Sequence, residues 1–350
     1  MPILRVIISQ KCPRLNKASM KLLRLVCLFA CVVLSARADQ DDPEFINALT
    51  FGADAALNVY LHDEEGNPVP NADVRCGFWL MTSKRSGAVY GKSDVSGHYM
   101  AKGKCNVDAH LAAVCNGYYE SFAVRGLSKT TASPKVKDGK WQPYGWEWPV
   151  LMRRIKNPVR LDVYNSTRDY DIPATNVWVG FDMAKRDWVK PVGSGETPDF
   201  EIKFLWDGTC RLNYTGSELA IRFVGEKAGG YWFEKVEDSK FKYTYEADTN
   251  RNYESVFNFK VVRDKVNPVR EVFGEDRALV VRTRCKVDEK GMLISAYYAQ
   301  IMGLEFGAGS KGKGRFMIRY MRNTTENDPN LESDEIFRAY QIDPPSVRVR

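Results

Sequence analysis

Acidic residues and tryptophans are mixed along one stretch of this 350-residue chain. The acids are Asp182, Asp187 and Asp199, and the tryptophans are Trp178, Trp188 and Trp206. Glycosidases need two carboxyl groups at a suitable separation, and acids beside aromatic rings would suit sugar chemistry. Aspartate is also ordinary at strand ends and turns, and tryptophan in a β-rich chain is more often a core residue. The stretch therefore favours a structural role, with a carbohydrate-active, glycosidase-type protein as the alternative.

A second aromatic group consists of Trp141, Trp146 and Trp148. Two prolines and a glycine interrupt the segment that contains them, which predicts irregular structure. The indoles would then either fill a domain interface or form an exposed platform. In the second case they are the candidate carbohydrate-binding residues.

One motif, His62-Asp-Glu-Glu65, has the spacing of metal ligands. His-x-x-Glu opens the zinc site of metallocarboxypeptidases, but such a site needs a third protein ligand and an open position for water. Only His98 and His110 remain as distant histidines. The motif also lies where a strand runs into a Gly-Asn-Pro turn. A solvated loop is favoured over zinc, so we predict neither a metal nor a cofactor.

Nucleophilic catalysis finds no better support in the sequence. A serine or cysteine nucleophile requires a histidine or a similar base that a third group orients. All three histidines lie within residues 62–110, and no Gly-x-Ser-x-Gly elbow stands between a strand and a helix. The glycine-rich stretch 307–314 lacks the spacing of a phosphate-binding loop. The sequence therefore predicts no catalytic residue, which favours a protein that is not an enzyme.

Residues 1–38 have the pattern of a secretory signal peptide. They carry seven basic residues and no acidic one, followed by the apolar run Leu25–Leu34 and the small-x-small site Ala36-Arg37-Ala38. The run is shorter than the ~20 apolar residues of a membrane-spanning helix. We expect an exported protein, periplasmic or extracellular, with no integral membrane segment after cleavage. Either Met1 or Met20 could be the start codon.

The mature chain is neutral overall. Without the seven basic residues of the leader, 44 of the 51 lysines and arginines remain, against 44 acidic residues. A neutral chain lacks the electrostatic footprint of a nucleic-acid-binding protein, so no nucleic-acid partner is predicted. An extracellular polysaccharide and a surface protein remain as partner classes.

Five cysteines remain after the leader, and export would allow a disulfide. We predict one bridge among Cys76, Cys105 and Cys115, without specifying the pair, and buried thiols at Cys210 and Cys285.

Short strands separated by turns must position all of these residues. Apolar residues alternate with polar ones along Leu57–Leu61 and Val74–Leu80, and similar patterns recur to residue 125. The predicted organisation is a lead-in segment over 39–54, a β-sandwich over 55–125, a linker with the aromatic cluster over 126–149, and a second β-rich domain over 150–350. Nine further short strands are predicted after residue 150, among them Lys240–Glu246, and a short helix is predicted over Glu332–Tyr340. The predicted class is all-β, with a larger antiparallel β-sandwich or jelly roll as the second domain.

The first sandwich resembles the carboxypeptidase regulatory-like family. The residues that carry this resemblance are Asp63-Glu-Glu-Gly66-Asn-Pro68-Val69-Pro-Asn71-Ala72-Asp-Val74, Asp94-Val-Ser-Gly97-His-Tyr99 and Gly117-Tyr118-Tyr119. The resemblance covers about 65 residues and implies a transthyretin-like Greek-key fold. It implies no catalytic residues, since such domains usually act as accessory or spacer modules.

The remainder resembles a group of uncharacterised exported proteins of planctomycete, verrucomicrobial and lentisphaeral bacteria. The matching residues are Val179–Asp182, Asp187–Gly195, Pro198–Phe200 and Asn327–Glu332, with Val192 at a position where that group commonly has an aromatic residue. This resemblance implies export and no particular activity. The sequence as a whole predicts an exported, non-enzymatic β-sandwich protein with a binding or structural role, and a carbohydrate-binding or carbohydrate-active protein as the alternative.

Overall fold

A computed structural model describes residues 42–80, 87–165, 170–206, 216–262, 269–270, 276–308 and 313–334. The predicted all-β class is confirmed, because antiparallel sheets make up most of the described chain. The described residues form two compact units: the first comprises those up to Cys115 together with Ser121–Leu151, and the second comprises Asn116–Glu120 together with the described residues from Met152 onward. The predicted signal peptide, Cys210 and nearly all of the predicted helix over Glu332–Tyr340 lie outside the described residues.

The described residues of the first unit form one α-helix and nine strands: α1 (Pro43–Phe51), β1 (Ala53–His62), β2 (Asp73–Phe78), β3 (Gly87–Lys92), β4 (His98–Cys105), β5 (Asp108–Val114), β6 (Ser121–Gly126), β7 (Val136–Lys137), β8 (Lys140–Trp141) and β9 (Trp146–Leu151), with a 3-10 turn over Leu127–Lys129. The second unit contains β10 (Asp162–Asn165), β11 (Tyr170–Ile172), β12 (Trp178–Asp182), β13 (Asp187–Trp188), β14 (Phe200–Trp206), β15 (Gly216–Phe223), β16 (Gly229–Glu234), β17 (Val256–Val262), β18 (Val269–Arg270), β19 (Arg277–Val287), β20 (Leu293–Ala308) and β21 (Gly314–Arg322).

The lead-in segment forms helix α1. Pro43 occupies its first turn, and the Asp42 carboxylate accepts a hydrogen bond from the Glu44 N–H at 2.9 Å. These are the residue types that favour a helix start. The helix ends at Gly52, whose φ of +81° is accessible to glycine at little cost.

The first unit is a sandwich of two sheets. One has the order β4-β1-β8-β7, with β9 also paired to β1, and the other has the order β3-β2-β5-β6. The chain passes from one sheet to the other four times: between β1 and β2, β3 and β4, β4 and β5, and β6 and β7. Side chains from the two sheets meet in the interior, where Phe78 packs against the backbone of Gly103.

The segment predicted to be an irregular linker instead adds three strands to the first unit. Strand β9 runs parallel to β1 and pairs Leu57 with Trp146 and Val59 with Trp148. Pro149 is tolerated because β9 pairs with β1 alone, so the missing N–H of the proline faces away from any neighbouring strand. Proline and glycine were therefore a poor guide to irregular structure at this sheet edge.

The second unit is a sandwich of two six-stranded antiparallel sheets. In one, β10 and β11 pair with β21, followed by β20, β19 and β16; the other has the order β13-β12-β14-β15-β17-β18. Their facing side chains form a core that is rich in aromatic rings. Phe181 lies at its centre, stacked on Phe200 at 5.4 Å and edge-on to Phe316 at 5.9 Å between ring centroids.

Eight of the nine strands predicted after residue 150 are present, and Lys240–Glu246 is not a strand. In that segment the carbonyl groups of Phe241 and Tyr243 accept hydrogen bonds from the Arg153 guanidinium, which also stacks on the Phe241 ring. A side chain satisfies backbone groups that a neighbouring strand would otherwise bind. The prediction was wrong because β-type composition does not reveal which partner the backbone will find.

Crowding at Gly103 yields a first test of the sandwich interior. A Cβ atom at this position would lie 2.2 to 2.6 Å from ring atoms of Phe78. We expect Gly103→Ala to lower the free energy of unfolding by about 1–3 kcal/mol, because one of the sheets must shift. Gly77→Ala is the matched control, since its nearest neighbour would be a backbone oxygen at 3.8 Å. Urea unfolding of both variants measures the difference, and equal midpoints would contradict the described packing.

Candidate functional site

Two of the three predicted acids converge, and they do so on an arginine. Asp182 ends β12, Asp199 precedes β14, and Arg284 projects from β19 between them. The Arg284 Nη2 atom lies 2.7 Å from Asp182 Oδ1 and 2.9 Å from Asp199 Oδ2, and Nε lies 2.8 Å from Asp199 Oδ1. Both carboxylates are almost inaccessible to solvent, at 2% and 0% exposure. The two buried carboxylates and the partly exposed Arg284 form an ionic cluster that links the two sheets of the second unit.

The remaining acceptor positions of the two carboxylates are also occupied. Asp182 accepts hydrogen bonds from the backbone N–H groups of four residues: Ala184, Lys185, Glu196 and Thr197, at 2.9 to 3.1 Å. Asp199 accepts from the Met183 N–H at 2.7 Å and from the Thr283 hydroxyl at 2.8 Å. Carboxylates that accept this many bonds are held in one orientation. They shape the loop over residues 183–197 and tie it to β19.

The pKa of Asp182 follows from these contacts. Burial is the largest single influence and raises the pKa, but the N–H groups of Glu196, Thr197 and Lys185, together with the Arg284 charge, outweigh it. The net result is a pKa below the usual value for aspartate. A catalytic acid of a glycosidase needs the opposite, a raised pKa that keeps its proton.

Asp187 does not join this cluster. Its carboxylate accepts hydrogen bonds from the Trp188 N–H at 2.8 Å and from the N–H and hydroxyl of Ser194 at 2.8 and 2.7 Å. These bonds lower its pKa despite the opposing effect of burial. The predicted acidic group is thus one buried pair and one separate residue that caps a turn.

The three histidines belong to the first unit, and these acids belong to the second. His62 Nδ1 lies 3.1 Å from the Asp63 carbonyl oxygen, and His98 Nε2 lies 3.1 Å from Asn58 Oδ1. Within the described ranges, no three side chains of the metal-ligating types cluster closely enough to hold an ion.

The structure does not assemble the tryptophan platform, because two of its three indoles are buried. Trp141 and Trp148 are buried at 1% and 3% exposure, and the Trp141 indole N–H donates to the Cys105 carbonyl at 2.9 Å. Trp146 is half-buried, with the Arg125 guanidinium 4.2 Å from its ring centroid. The alternation along β9 directs Trp146 and Trp148 to the same side as the buried Val59. A buried indole presents no face to a sugar, so this part of the carbohydrate prediction is wrong.

No disulfide joins the cysteines of the first sandwich. Cys76 and Cys105 are buried thiols, and burial raises the pKa of each to about 12. Since neither carries a disulfide, Cys115 has no bridge to them; its Sγ lies 3.9 Å from the Pro70 carbonyl oxygen. Cys285 is a half-buried thiol on β19.

A site that the sequence analysis missed lies on the outer face of the four-stranded sheet of the first unit. The residues that face away from the core there are Arg75 and Gly77 on β2, Tyr90 on β3, His110, Ala112 and Val114 on β5, and Phe122 and Val124 on β6, and Trp79, directly after β2, is exposed beside them. Five of these are large apolar residues with 50–61% of their surface exposed: Trp79, Tyr90, Val114, Phe122 and Val124. Exposed apolar residues gathered on one face mark an interaction or ligand site, whereas scattered ones do not.

A hollow of about 280 Å³ lies at the centre of this outer face. Gly77 and Ala112 form part of its floor, because neither has a side chain long enough to fill it. Trp79, His110 and Phe122 surround it, with the His110 and Phe122 rings 6.2 Å apart. Concave apolar surfaces with a few polar groups are the usual form of small-ligand sites.

The polar groups at the hollow come from Arg75 and His110. The Arg75 guanidinium lies 5.9 Å from the Tyr90 ring centroid, and His110 Nε2 lies 3.2 Å from Asp108 Oδ1. The signal for this site was present in the sequence. The alternation that identified Val74, Cys76 and Phe78 as one face of β2 also identifies the residues between them as the other face.

The fold and these sites define the protein as an all-β protein of two sandwich units. No protein-family model matches the chain, and no curated protein matches it. Among solved structures it is similar to a 3-chlorocatechol 1,2-dioxygenase from Rhodococcus opacus, with 9% identity, TM-score 0.24, and coverage of 30% of this chain and 60% of that one. It is also similar to a catechol 1,2-dioxygenase from Acinetobacter radioresistens, with 12% identity, TM-score 0.23, and coverage of 30% and 53%.

A shaft pilin from Lactobacillus rhamnosus matches with 11% identity, TM-score 0.21, and coverage of 51% of this chain and 90% of the pilin. The chain thus spans little more than half the length of the two dioxygenases. At these TM-scores the similarities carry no argument about function. Among the described helices, none is long and apolar enough to cross a membrane.

We predict a large loss of stability when the ionic cluster loses its cation. Arg284→Met would leave two buried carboxylates without their shared partner, and we expect the free energy of unfolding to fall by about 3–5 kcal/mol. The control is Lys260→Met, which removes the exposed ion pair with Glu218 and should cost about 1 kcal/mol or less. Urea unfolding compares the two variants. A wild-type midpoint for Arg284→Met would show that the cluster does not hold the sheets together.

We predict that Cys76 and Cys105 are alkylated only when the protein is unfolded. We expect iodoacetamide at pH 8 to leave both unmodified in the native protein, because burial and the raised pKa suppress the thiolate. Both should react in guanidinium chloride without any reductant. Mass spectrometry of tryptic peptides measures the two states, and a cysteine that reacts only after reduction would reveal a disulfide instead.

Proposed function

We propose that this chain is an exported, non-enzymatic β-sandwich protein that acts by binding, through the outer face of the four-stranded sheet. The observation that carries the proposal is the group of five exposed apolar side chains around the hollow at Gly77 and Ala112. Exposing large apolar side chains together costs free energy in water, and covering them with a ligand or partner recovers it. A binding role gives this arrangement a physical reason.

The chemistry of the acids supports the non-enzymatic part of the proposal. Asp182 and Asp199 have their oxygens engaged by Arg284 and by backbone N–H groups, so neither is free to transfer a proton or attack a substrate. The pKa of Asp182 is lowered, which suits a structural anion. The histidines that could act as bases belong to the other unit.

Export rests on the sequence of the leader. Its basic start, apolar run and Ala36-Arg37-Ala38 site support cleavage before Asp39. The neutral charge of the remaining chain agrees with a role that does not involve nucleic acid. Extracellular surfaces of polysaccharide or protein are the partners that this setting offers.

Carbohydrate binding is the second candidate, and one observation favours it. The hollow combines aromatic rings with the polar groups of Arg75 and His110. A sugar has both apolar faces and hydroxyl groups, and it would use both kinds of contact. The glycosidase form of this alternative gains no such support from Asp182, Asp187 and Asp199.

Site-specific photocrosslinking tests the binding role. A benzophenone amino acid replaces Phe122 on the outer face or, as the control, the similarly exposed Tyr144 elsewhere in the first unit. We expect irradiation of cells to give crosslinked products at position 122 and few at position 144. The crosslinked protein should be found in the extracytoplasmic fraction, and its chain should begin at Asp39.

Equal crosslinking at both positions would remove the outer face as the binding surface. A protein that stays in the cytoplasm with its leader attached would contradict export.

A further inference from the structure

Resting on the proposed binding role, we infer that the hollow on the outer face binds a pyranose ring of a polysaccharide. The rings of Trp79 and Phe122 would contact the apolar C–H face of the sugar, and Arg75 and the His110–Asp108 pair would bind its hydroxyl groups.

The register of the sheet places these side chains in rows. Tyr90, Arg75, Ala112 and Phe122 lie opposite one another across β3, β2, β5 and β6. Neighbouring strands are about 4.8 Å apart, so the two aromatic residues at the ends of this row are separated by about 14 Å. This distance exceeds one sugar ring and suits a chain of linked rings that lies across the sheet.

The hollow interrupts the row at its centre. Gly77 lies in the next row, opposite His110, and the small side chains of Ala112 and Gly77 leave the space open. Its volume of about 280 Å³ is just below the lower limit of roughly 300 Å³ for sites of drug-sized ligands. A single sugar unit of a longer chain is a ligand of suitable size.

The polar groups favour a sugar over a purely apolar ligand. An apolar side chain from a protein partner would cover Arg75 and His110 without giving them hydrogen-bond partners, which costs free energy. Sugar hydroxyls donate and accept hydrogen bonds, so they can satisfy the guanidinium, the imidazole and Asp108 together. The electron-rich faces of Trp79 and Phe122 attract the weakly positive C–H groups of the same ring.

Charged groups also limit the extent of the apolar surface. Lys92 and Asp73 form an ion pair of 2.7 Å on the same outer face, next to the row of Arg75. A typical protein interface covers about 800 Å² on each partner and has few charges at its centre. Small apolar areas between charged residues match separate sugar rings more closely than one continuous protein contact.

Glycine 77 makes the inference testable without damage to the fold. A Cβ atom there would meet only the His110 carbonyl oxygen, at 3.8 Å, and φ is not in the positive region. Gly77→Val should therefore fold, since valine is favoured in strands, and should fill the floor of the hollow. Ala220→Val is the matched control, because Ala220 lines an open depression of about 480 Å³ on an outer sheet face of the second unit.

The experiment screens the purified full-length protein on a glycan array and then titrates it with soluble cello-, xylo- and manno-hexaose by calorimetry. We expect binding to at least one glycan class. Gly77→Val, Phe122→Ala and Arg75→Met should each weaken that binding by about tenfold or more, with unchanged thermal midpoints. Ala220→Val should bind as the wild type does.

The outcomes separate this inference from the proposed binding role. Glycan binding that survives Gly77→Val, or no glycan binding at all, overturns the sugar assignment. If crosslinking at position 122 still captures a protein in that case, the outer face is a protein-binding surface and the proposed function stands. If neither glycan nor crosslinked product appears, the sugar assignment and the binding role both fall.

Discussion

Alternation of side chains along a strand is the constraint on which the rest of this structure depends. In the first unit, burying Val74, Cys76 and Phe78 in the sandwich places the residues between them on the opposite face of the sheet. The core and the exposed outer face are therefore two consequences of one register. A shift of one residue in β2 would exchange them, placing Arg75 in the interior and Phe78 in water. The outer face is therefore as well defined as the core behind it.

The second unit buries charged carboxylates as well as apolar side chains. Its two sheets enclose a core of aromatic rings, and they also enclose the carboxylates of Asp182 and Asp199, which pair with the partly exposed Arg284. Buried charges are tolerated because each has partners in the cluster or in the backbone of the loop over 183–197. Such a cluster orients a loop and joins two sheets. The acids that most resembled catalytic residues are for this reason the ones least available to a substrate.

The two groups of tryptophans show how far residue type alone can mislead. Trp141 and Trp148 were predicted to belong to a carbohydrate-binding platform, yet both are buried. Trp79 was not predicted to have a role, and it is more than half exposed. Their neighbours in sequence did not distinguish them. The difference lies in which strand each segment joins. Strands β8 and β9, which carry Trp141 and Trp148, both pair with β1, whereas Trp79 directly follows β2, whose odd-numbered residues face outward. Tertiary pairing decided whether an indole became core or surface.

The sequence by itself determined the all-β class, most strands after residue 150 and the absence of net charge beyond residue 38. These properties depend on local alternation and composition, which are written in consecutive residues. Only the tertiary structure decided that Asp182 and Asp199 share Arg284, about a hundred residues away, and that Arg153 satisfies the backbone near Phe241. It also decided that Gly77, Ala112 and Phe122 surround one hollow, because three strands must pair in register before residues so far apart become neighbours. Contacts between distant segments depend on strand pairing, and strand pairing has no signal within any single segment.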